Sequence, residues 1–133
     1  MDGIELLTLQ ICGDERGSLI AVESGLTIPF DIKRAYYIFG TSKDVIRGKH
    51  AHKNLSQIMV CVKGSCEVII DNGITRATHV LNRPDQGILI KKPVWREMKN
   101  FTDDCVLLVL ADKLYNPADY IYDYNVFLKN KRG

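Results

Sequence analysis

Histidine is scarce in this sequence, with three residues in 133, and so are tryptophan, with one, and proline and cysteine, with four each. Long apolar runs are absent: none approaches the roughly 20 residues that a membrane-spanning helix needs. The N-terminus, Met1-Asp2-Gly3-Ile4-Glu5, has neither the basic stretch nor the apolar stretch of a secretory leader. A cytoplasmic protein with no membrane partner is expected. A surplus of one charge is also missing. Eighteen Lys and Arg against sixteen Asp and Glu leave +2, too little for nucleic-acid binding by bulk electrostatics, although a local basic pocket for a small anion remains compatible. Cys12, Cys61, Cys66 and Cys105 include no C-x-x-C pair, which removes the usual zinc pattern. Without a secretory leader all four read as free buried thiols. There is no internal repeat, linker or low-complexity tract, so one domain over 1–133 is expected.

What is present is a series of short apolar and β-branched runs separated by turn residues. Strands are predicted over Leu6 to Ile11 and Ser18 to Glu23, joined as a hairpin by Asp14-Glu15-Arg16-Gly17. Lys33 to Phe39 follows. Gln57 to Val62 and Ser65 to Ile70 are expected to form a hairpin about Lys63-Gly64, with Cys61 opposite Cys66. Asp71-Asn72-Gly73 is the strongest hairpin signal and leads into Thr75 to Leu81. Gly87 to Ile90, Trp95 to Met98 and Cys105 to Ala111 complete the β portion. Many short strands with turns between them argue for a sandwich or barrel. Gln57 to Val62 is apolar on both faces, so its second face must be covered by another sheet, the tail or a second subunit. The tail differs: Asn116 suits an N-cap and Pro117 a first helical position. Tyr120, Ile121, Tyr124, Phe127 and Leu128 then share one helical face, and Lys129, Lys131 and Arg132 suit the negative end of the dipole.

The chemistry concentrates in Arg47-Gly48-Lys49-His50-Ala51-His52. An i, i+2 spacing on a strand sends both imidazoles to one face, as a metal pair or a proton-transfer pair. His-x-His, four residues, Gln57, six residues, Gly64 resembles the first signature of the cupin superfamily, with Gln57 where the signature has glutamate. Gly87, five residues, Pro93 resembles the second, with Met98 where metal-binding members have a third histidine. Two imidazoles without those ligands hold a divalent metal poorly, so a metal-free acid–base pair is the expectation. Anion forks are available in arginine, and Arg47 and Arg96 adjoin the pocket elements. Trp95 is a candidate for stacking on a planar base, or a core residue.

Further motifs narrow the resemblance. Asp14-Glu15-Arg16-Gly17-Ser18-Leu19, Ile32-Lys33-Arg34-Ala35-Tyr36-Tyr37-Ile38-Phe39, Cys61-Val62-Lys63-Gly64-Ser65-Cys66, Pro93-Val94-Trp95 and Asp119-Tyr120-Ile121, with the histidine stretch, are similar to the sugar 3,4-ketoisomerases that act on thymidine-diphosphate (TDP) 4-keto-6-deoxyglucose. The resemblance implies an all-β cupin jelly roll with a short C-terminal α-helix and a homodimer with exchanged N-terminal strands. It also implies no metal or cofactor, and a role in supplying 3-amino-3,6-dideoxy sugars for surface polysaccharide. By the same resemblance His50, His52 and Tyr37 are the catalytic candidates. Tyr36 is expected on the opposite face from Tyr37. Gln57 would hydrogen-bond a sugar oxygen, and Arg16, in one reading from the partner subunit, Arg47, Trp95 and Arg96 would contact substrate. A nucleotide-sugar 3,5-epimerase and a non-catalytic sugar-nucleotide-binding cupin are the alternatives.

Overall fold

The computed structural model describes residues 1–132, with the side chain of Arg132, expected at the basic end of the tail helix, outside the described residues. Its strands are β1 (Ile4–Thr8), β2 (Cys12–Asp14), β3 (Gly17–Leu19), β4 (Arg34–Phe39), β5 (Arg47–His52), β6 (Gln57–Lys63), β7 (Cys66–Asp71), β8 (Arg76–Leu81), β9 (Gln86–Ile90), β10 (Trp95–Lys99), β11 (Val106–Ala111) and β12 (Tyr120–Ile121), followed by one α-helix, α1 (Tyr124–Arg132). Two five-stranded sheets face each other, ordered β1-β9-β6-β11-β4 and β12-β5-β10-β7-β8. From β4 onward the chain mostly alternates between them, and only β7 and β8 are sequential neighbours in one sheet. That alternation wraps the chain as a jelly roll.

The alternation explains the apolar character of β6. Met59 and Cys61 point between the sheets with Ile38, Val68, Ile70, Ile88, Ile90 and Met98. Ile58 and Val60 point outward, against Leu9, Ile28 and Leu110 and the partly buried Ile20, Val22, Phe30 and Ile32. The chain's own segment over 20–32 therefore covers much of the second face. Each fully buried branched side chain contributes about 1.5–3 kcal/mol.

Two expected hairpins take another form. β6 and β7 lie in different sheets, so Lys63-Gly64-Ser65 carries the chain across the sandwich. Cys61 and Cys66 still meet, in the core rather than across a ladder. β1 pairs with β9 of its own chain, from Ile4↔Ile90 to Thr8↔Gln86, while β2 and β3 form a separate exposed hairpin. The apolar pattern placed strands near both segments, but β1 ends at Thr8 and β3 at Leu19, short of the expected Ile11 and Glu23, and the pattern carries no information about which partner each strand takes.

The tail helix also starts later than its pattern suggests. Asn116 caps only a 3-10 turn, Pro117–Asp119, its side chain accepting from the Ala118 amide. Tyr120 and Ile121 then pair with His52 and Ala51. Asp123 is the cap of α1, its carboxylate accepting from the Asn125 and Val126 amides. Ile121 and Phe127 face Ala51 and Trp95 on the outer side of the second sheet.

Gly64 permits the crossing between sheets. Its φ is 68°, and a Cβ there would lie 2.8 Å from the Cys105 Cα and 2.4 Å from the Thr102 Oγ1. Gly64→Ala combines a left-handed penalty of about 1–2 kcal/mol with a backbone clash. A fall in melting temperature larger than that of Gly25→Ala, which meets open space at φ 71°, is expected in thermal denaturation.

Candidate active site

The site forms where the ends of β4, β5, β6 and β10 converge beneath β12. On β4, Arg34, Tyr36 and Ile38 face inward, while Ala35, Tyr37 and Phe39 face out. On β5, His50 and His52 share the inner face, their rings edge to face at 4.9 Å. Arg47 joins them through a bulge. The register with β10 slips between Arg96↔His50 and Glu97↔Gly48 and continues to Met98↔Arg47. Gly48 and Lys49 both take positive φ, 83° and 53°. A regular strand would place Arg47 opposite His50; the extra residue returns it to the same face.

Arg96 lies beneath the pair at 1% exposure. It donates through Nη1 to the Gln57 side-chain carbonyl and through Nη2 to the Val94 carbonyl at 3.1 Å. No carboxylate pairs with it directly among the described residues. Gln57, with its oxygen held by Arg96, turns its amide to donate to the Tyr36 hydroxyl at 3.3 Å. Asp119 anchors the other edge: its backbone carbonyl accepts from the Lys53 amide and its carboxylate from the Asn54 amide at 2.8 Å. The second carboxylate oxygen lies 3.0 Å from His52 Nδ1. That contact places a proton on Nδ1 and leaves Nε2 as the free nitrogen of a neutral ring.

Burial and the Arg96 charge both oppose protonation of the imidazoles. Burial first and Arg96 second hold His50 down at about 4, and the same causes in the same order lower His52 further, to about 2. Burial lowers Arg96 itself to about 10, which still leaves it cationic at neutral pH. Burial raises the Tyr36 hydroxyl above its ordinary value, against the pull of Arg96. The site therefore holds two neutral bases, a protonated phenol, and a cation with no directly paired carboxylate, the nearest anion being Asp119 beyond His52. Buried side-chain nitrogens without a hydrogen-bond partner are His52 Nε2, Arg34 Nε and Arg96 Nε among the described residues. All three belong to this site, as expected of groups that meet a polar ligand.

Two clefts open onto Arg34, Tyr36, His50 and His52, with Arg96 and Gln57 in the layer behind them. One, of about 390 Å³, is lined by Tyr36, Arg47, His50, Met98, Tyr120 and Tyr122 among others. The second, of about 320 Å³, reaches His52 and Asp119 past Asn54 and Leu55. Arg34, Tyr115 and Tyr120 line both, and the Arg34 guanidinium lies 4.8 Å from the Tyr36 ring centre. The volume of the His50 cleft suits a small molecule.

The geometry corrects two expectations. Tyr37 is 63% exposed and turned outward; its neighbour Tyr36 enters the pocket, because the β4 register with β11 sets Tyr36 and Ile38 inward. Trp95 lies outside the sandwich under α1, edge to face with Tyr124 at 5.4 Å, donating from Nε1 to Glu97 at 2.9 Å. Arg96 and Trp95 are adjacent in sequence and therefore on opposite faces. Arg16 sits on the exposed β2–β3 hairpin, paired with Asp14 at 2.6 Å, and lines neither cleft of its own chain, which leaves the contact from a partner subunit as the reading for it. His50, His52, Gln57, Arg47 and Arg96 do converge. Sequence reasoning missed Asp119, Tyr115, Tyr120 and Tyr122, and held Arg34 only as one of several available anion forks. The Ile32–Phe39 and Asp119-Tyr120-Ile121 motifs contain Arg34, Asp119 and Tyr120 but gave them no role.

The donor set does not fit a divalent cation. His52 Nδ1 faces Asp119, the Gln57 oxygen is taken by Arg96, Met98 offers only a thioether, and a guanidinium adjoins the pair.

A family profile described as FdtA: WxcM-like, C-terminal matches residues 2–132. The chain belongs to this family. It is 48% identical over 116 residues to the TDP-4-oxo-6-deoxy-alpha-D-glucose-3,4-oxoisomerase of Aneurinibacillus thermoaerophilus, covering 87% of this chain and 84% of that protein. Among solved structures, a 3,4-ketoisomerase from Helicobacter canadensis matches with a TM-score of 0.96 at 46% identity, over 100% of this chain and 99% of that one. QdtA, a sugar 3,4-ketoisomerase from Thermoanaerobacterium thermosaccharolyticum solved in complex with TDP, matches at 0.97 and 39%, over 99% and 96%. The sandwich is thus the cupin-type fold of the sugar 3,4-ketoisomerases, and the protein is an isomerase of that family.

The lowered imidazoles set a pH signature. A base must be neutral to act, and a depressed pKa keeps it neutral at lower pH. Activity in kcat/KM is expected to persist below pH 6.5 and to fall only as pH drops through about 4. Arg96→Met removes the second cause of that depression. Its acid limb should move up toward 6.5, with kcat lower by about 10²–10³-fold if the guanidinium also holds developing negative charge. An unshifted limb in Arg96→Met would show that burial alone sets the imidazoles.

Proposed function

We propose that the protein converts TDP-4-keto-6-deoxyglucose to a TDP-3-keto-6-deoxyhexose by metal-free proton transfer. The observation that carries this reading is the pair of neutral imidazoles, with the Tyr36 hydroxyl, set above a buried guanidinium that lacks a carboxylate partner. Moving a ketone from carbon 4 to carbon 3 requires loss of the proton on carbon 3, an enediolate, and return of a proton to carbon 4. His50 and His52 carry the two transfers, and Tyr36 relays a proton between ring oxygens and solvent. Arg96, through its own charge and through Gln57, stabilises the enediolate. Arg34 and Arg47, at the mouths of the clefts, bind the diphosphate. The half-exposed tyrosines of the tail supply the surface on which the base stacks, the role that Trp95 cannot fill from beneath α1.

The same reading places the enzyme in the cytoplasm as one cupin domain, supplying a 3-keto sugar that transamination turns into a 3-amino-3,6-dideoxy sugar for surface polysaccharide. Among the described residues no helix is long and apolar enough to cross a membrane. It also makes the enzyme a homodimer. Leu6, Leu19, Tyr37 and Phe39 are each more than 60% exposed, and an apolar groove lined by Leu9, Ile11, Leu19, Val62 and Leu108 crosses the outer face of the first sheet. A second subunit seated there, with N-terminal strands exchanged, brings the β2–β3 hairpin and Arg16 toward the neighbouring site.

Product analysis by NMR with TDP-4-keto-6-deoxyglucose tests the activity: a keto group at carbon 3 is expected, and inversion at carbon 5 would make it an epimerase. His50→Asn and His52→Asn are each expected to lower kcat by about 10²–10⁴-fold with TDP binding little changed. In deuterated water the variant that stops exchange at carbon 3 identifies the carbon-3 base. Normal turnover in both folded variants would remove the pair from catalysis. For assembly, cysteines at Glu5 and Leu89, which face each other across the β1–β9 register, should oxidise to a covalent dimer if the strands are exchanged. A covalently closed monomer would exclude the exchange.

A further inference from the structure

At the end of the sandwich remote from the histidines, three cysteines converge. Cys61 lies four residues beyond Gln57 on β6, about 13 Å further along the strand. Cys66 opens β7 in the opposite sheet, and Cys105 precedes β11. Their exposures are 0%, 1% and 3%, and all three are free thiols. They meet because Gly64 lets the β6–β7 crossing lie directly against the Cys105 backbone. The Thr102 amide donates to the Ser65 carbonyl at 3.0 Å and clamps the same corner.

The three Sγ atoms lie within 4.8 Å of one another, and Cys61 and Cys105 are 3.5 Å apart. Sulfurs bound to one metal at about 2.3 Å stand about 4.0 Å apart in a trigonal plane. The thiols therefore sit close to coordination distance without any movement of the backbone. A disulfide between two of them would leave the third thiol unexplained, whereas a trigonal centre uses all three.

We propose that Cys61, Cys66 and Cys105 form a three-sulfur site for a soft monovalent d10 cation of the Cu(I) type. Soft thiol donors select soft cations. Tetrahedral zinc needs a fourth ligand, and no histidine or carboxylate joins the group among the described residues. Metal-bound sulfurs are thiolates: three S–H bonds break and three Cu–S bonds form, the three protons leave to solvent, the ion leaves its chelator, and nothing is oxidised or reduced. A surface depression walled by Ser65, Phe101 and Thr102 reaches Cys66 and provides the entry.

The test is anaerobic titration of the intact protein with Cu(I) in the presence of a chromogenic Cu(I) chelator. The wild type is expected to withdraw one equivalent per chain, with X-ray absorption showing three sulfurs at about 2.3 Å and no nitrogen. Cys61→Ser and Cys105→Ser should weaken retention by more than about 100-fold while kcat for ketone migration stays unchanged. Cys12→Ser, on the exposed hairpin, and His50→Asn should retain the ion. No withdrawal by the wild type, nitrogen in its coordination shell, or loss of the ion in Cys12→Ser or His50→Asn would overturn the proposal. The wild-type spectrum decides it even if a core cysteine variant fails to fold.

Discussion

The active end of this fold depends on one buried cation with no directly paired carboxylate. Arg96 is fully enclosed and held by two carbonyl oxygens, one from Gln57 and one from Val94. Burying a cation without a carboxylate costs on the order of several kcal/mol, and the surrounding sandwich must offset it. In return, the charge adds to burial in keeping two adjacent imidazoles neutral, fixes the orientation of the Gln57 amide, and through that amide positions the Tyr36 hydroxyl. A glutamate at position 57 would neutralise the guanidinium. Gln57 keeps the geometry of an acceptor and leaves the positive field for an anion that exists only during the reaction.

The pocket around that cation is assembled from elements distant in sequence. A one-residue bulge at Gly48-Lys49 turns Arg47 to the face of the histidines. The short strand β12 lays Asp119 and Tyr120 against the end of β5, so the tail supplies both the partner of His52 Nδ1 and an aromatic wall. The helix beyond it covers Trp95 and Ala51 from outside. The tail is thus part of the active site as well as a lid on the second sheet.

The two ends of the sandwich have opposite character. At the histidine end, polar groups are buried with unpaired nitrogens facing open clefts. At the other, three thiols are packed among apolar side chains beneath a glycine crossing. β6 runs between them, with Gln57 at one end and Cys61 at the other, which ties both ends to a single strand register.

The sequence by itself determined the all-β sandwich, most strand positions, and the pairing of His50 with His52 on one face, because apolar alternation and i, i+2 spacing are local properties. It also carried the family, through motifs spread along the whole chain. Strand partners were not legible: β6 and β7 read as a hairpin, yet they belong to different sheets, since loop length constrains distance and not which edge is joined. Nor was the choice of Tyr36 over Tyr37, because two adjacent tyrosines have the same local pattern and only the ladder with β11 decides which faces the core. Trp95 and Arg96 were separated by the same parity. The placement of Arg34 and Asp119, and the buried charge at the candidate site, arose only when β4, β5, β10 and the tail were brought together. Charge burial is a property of the assembled interior and of no single segment.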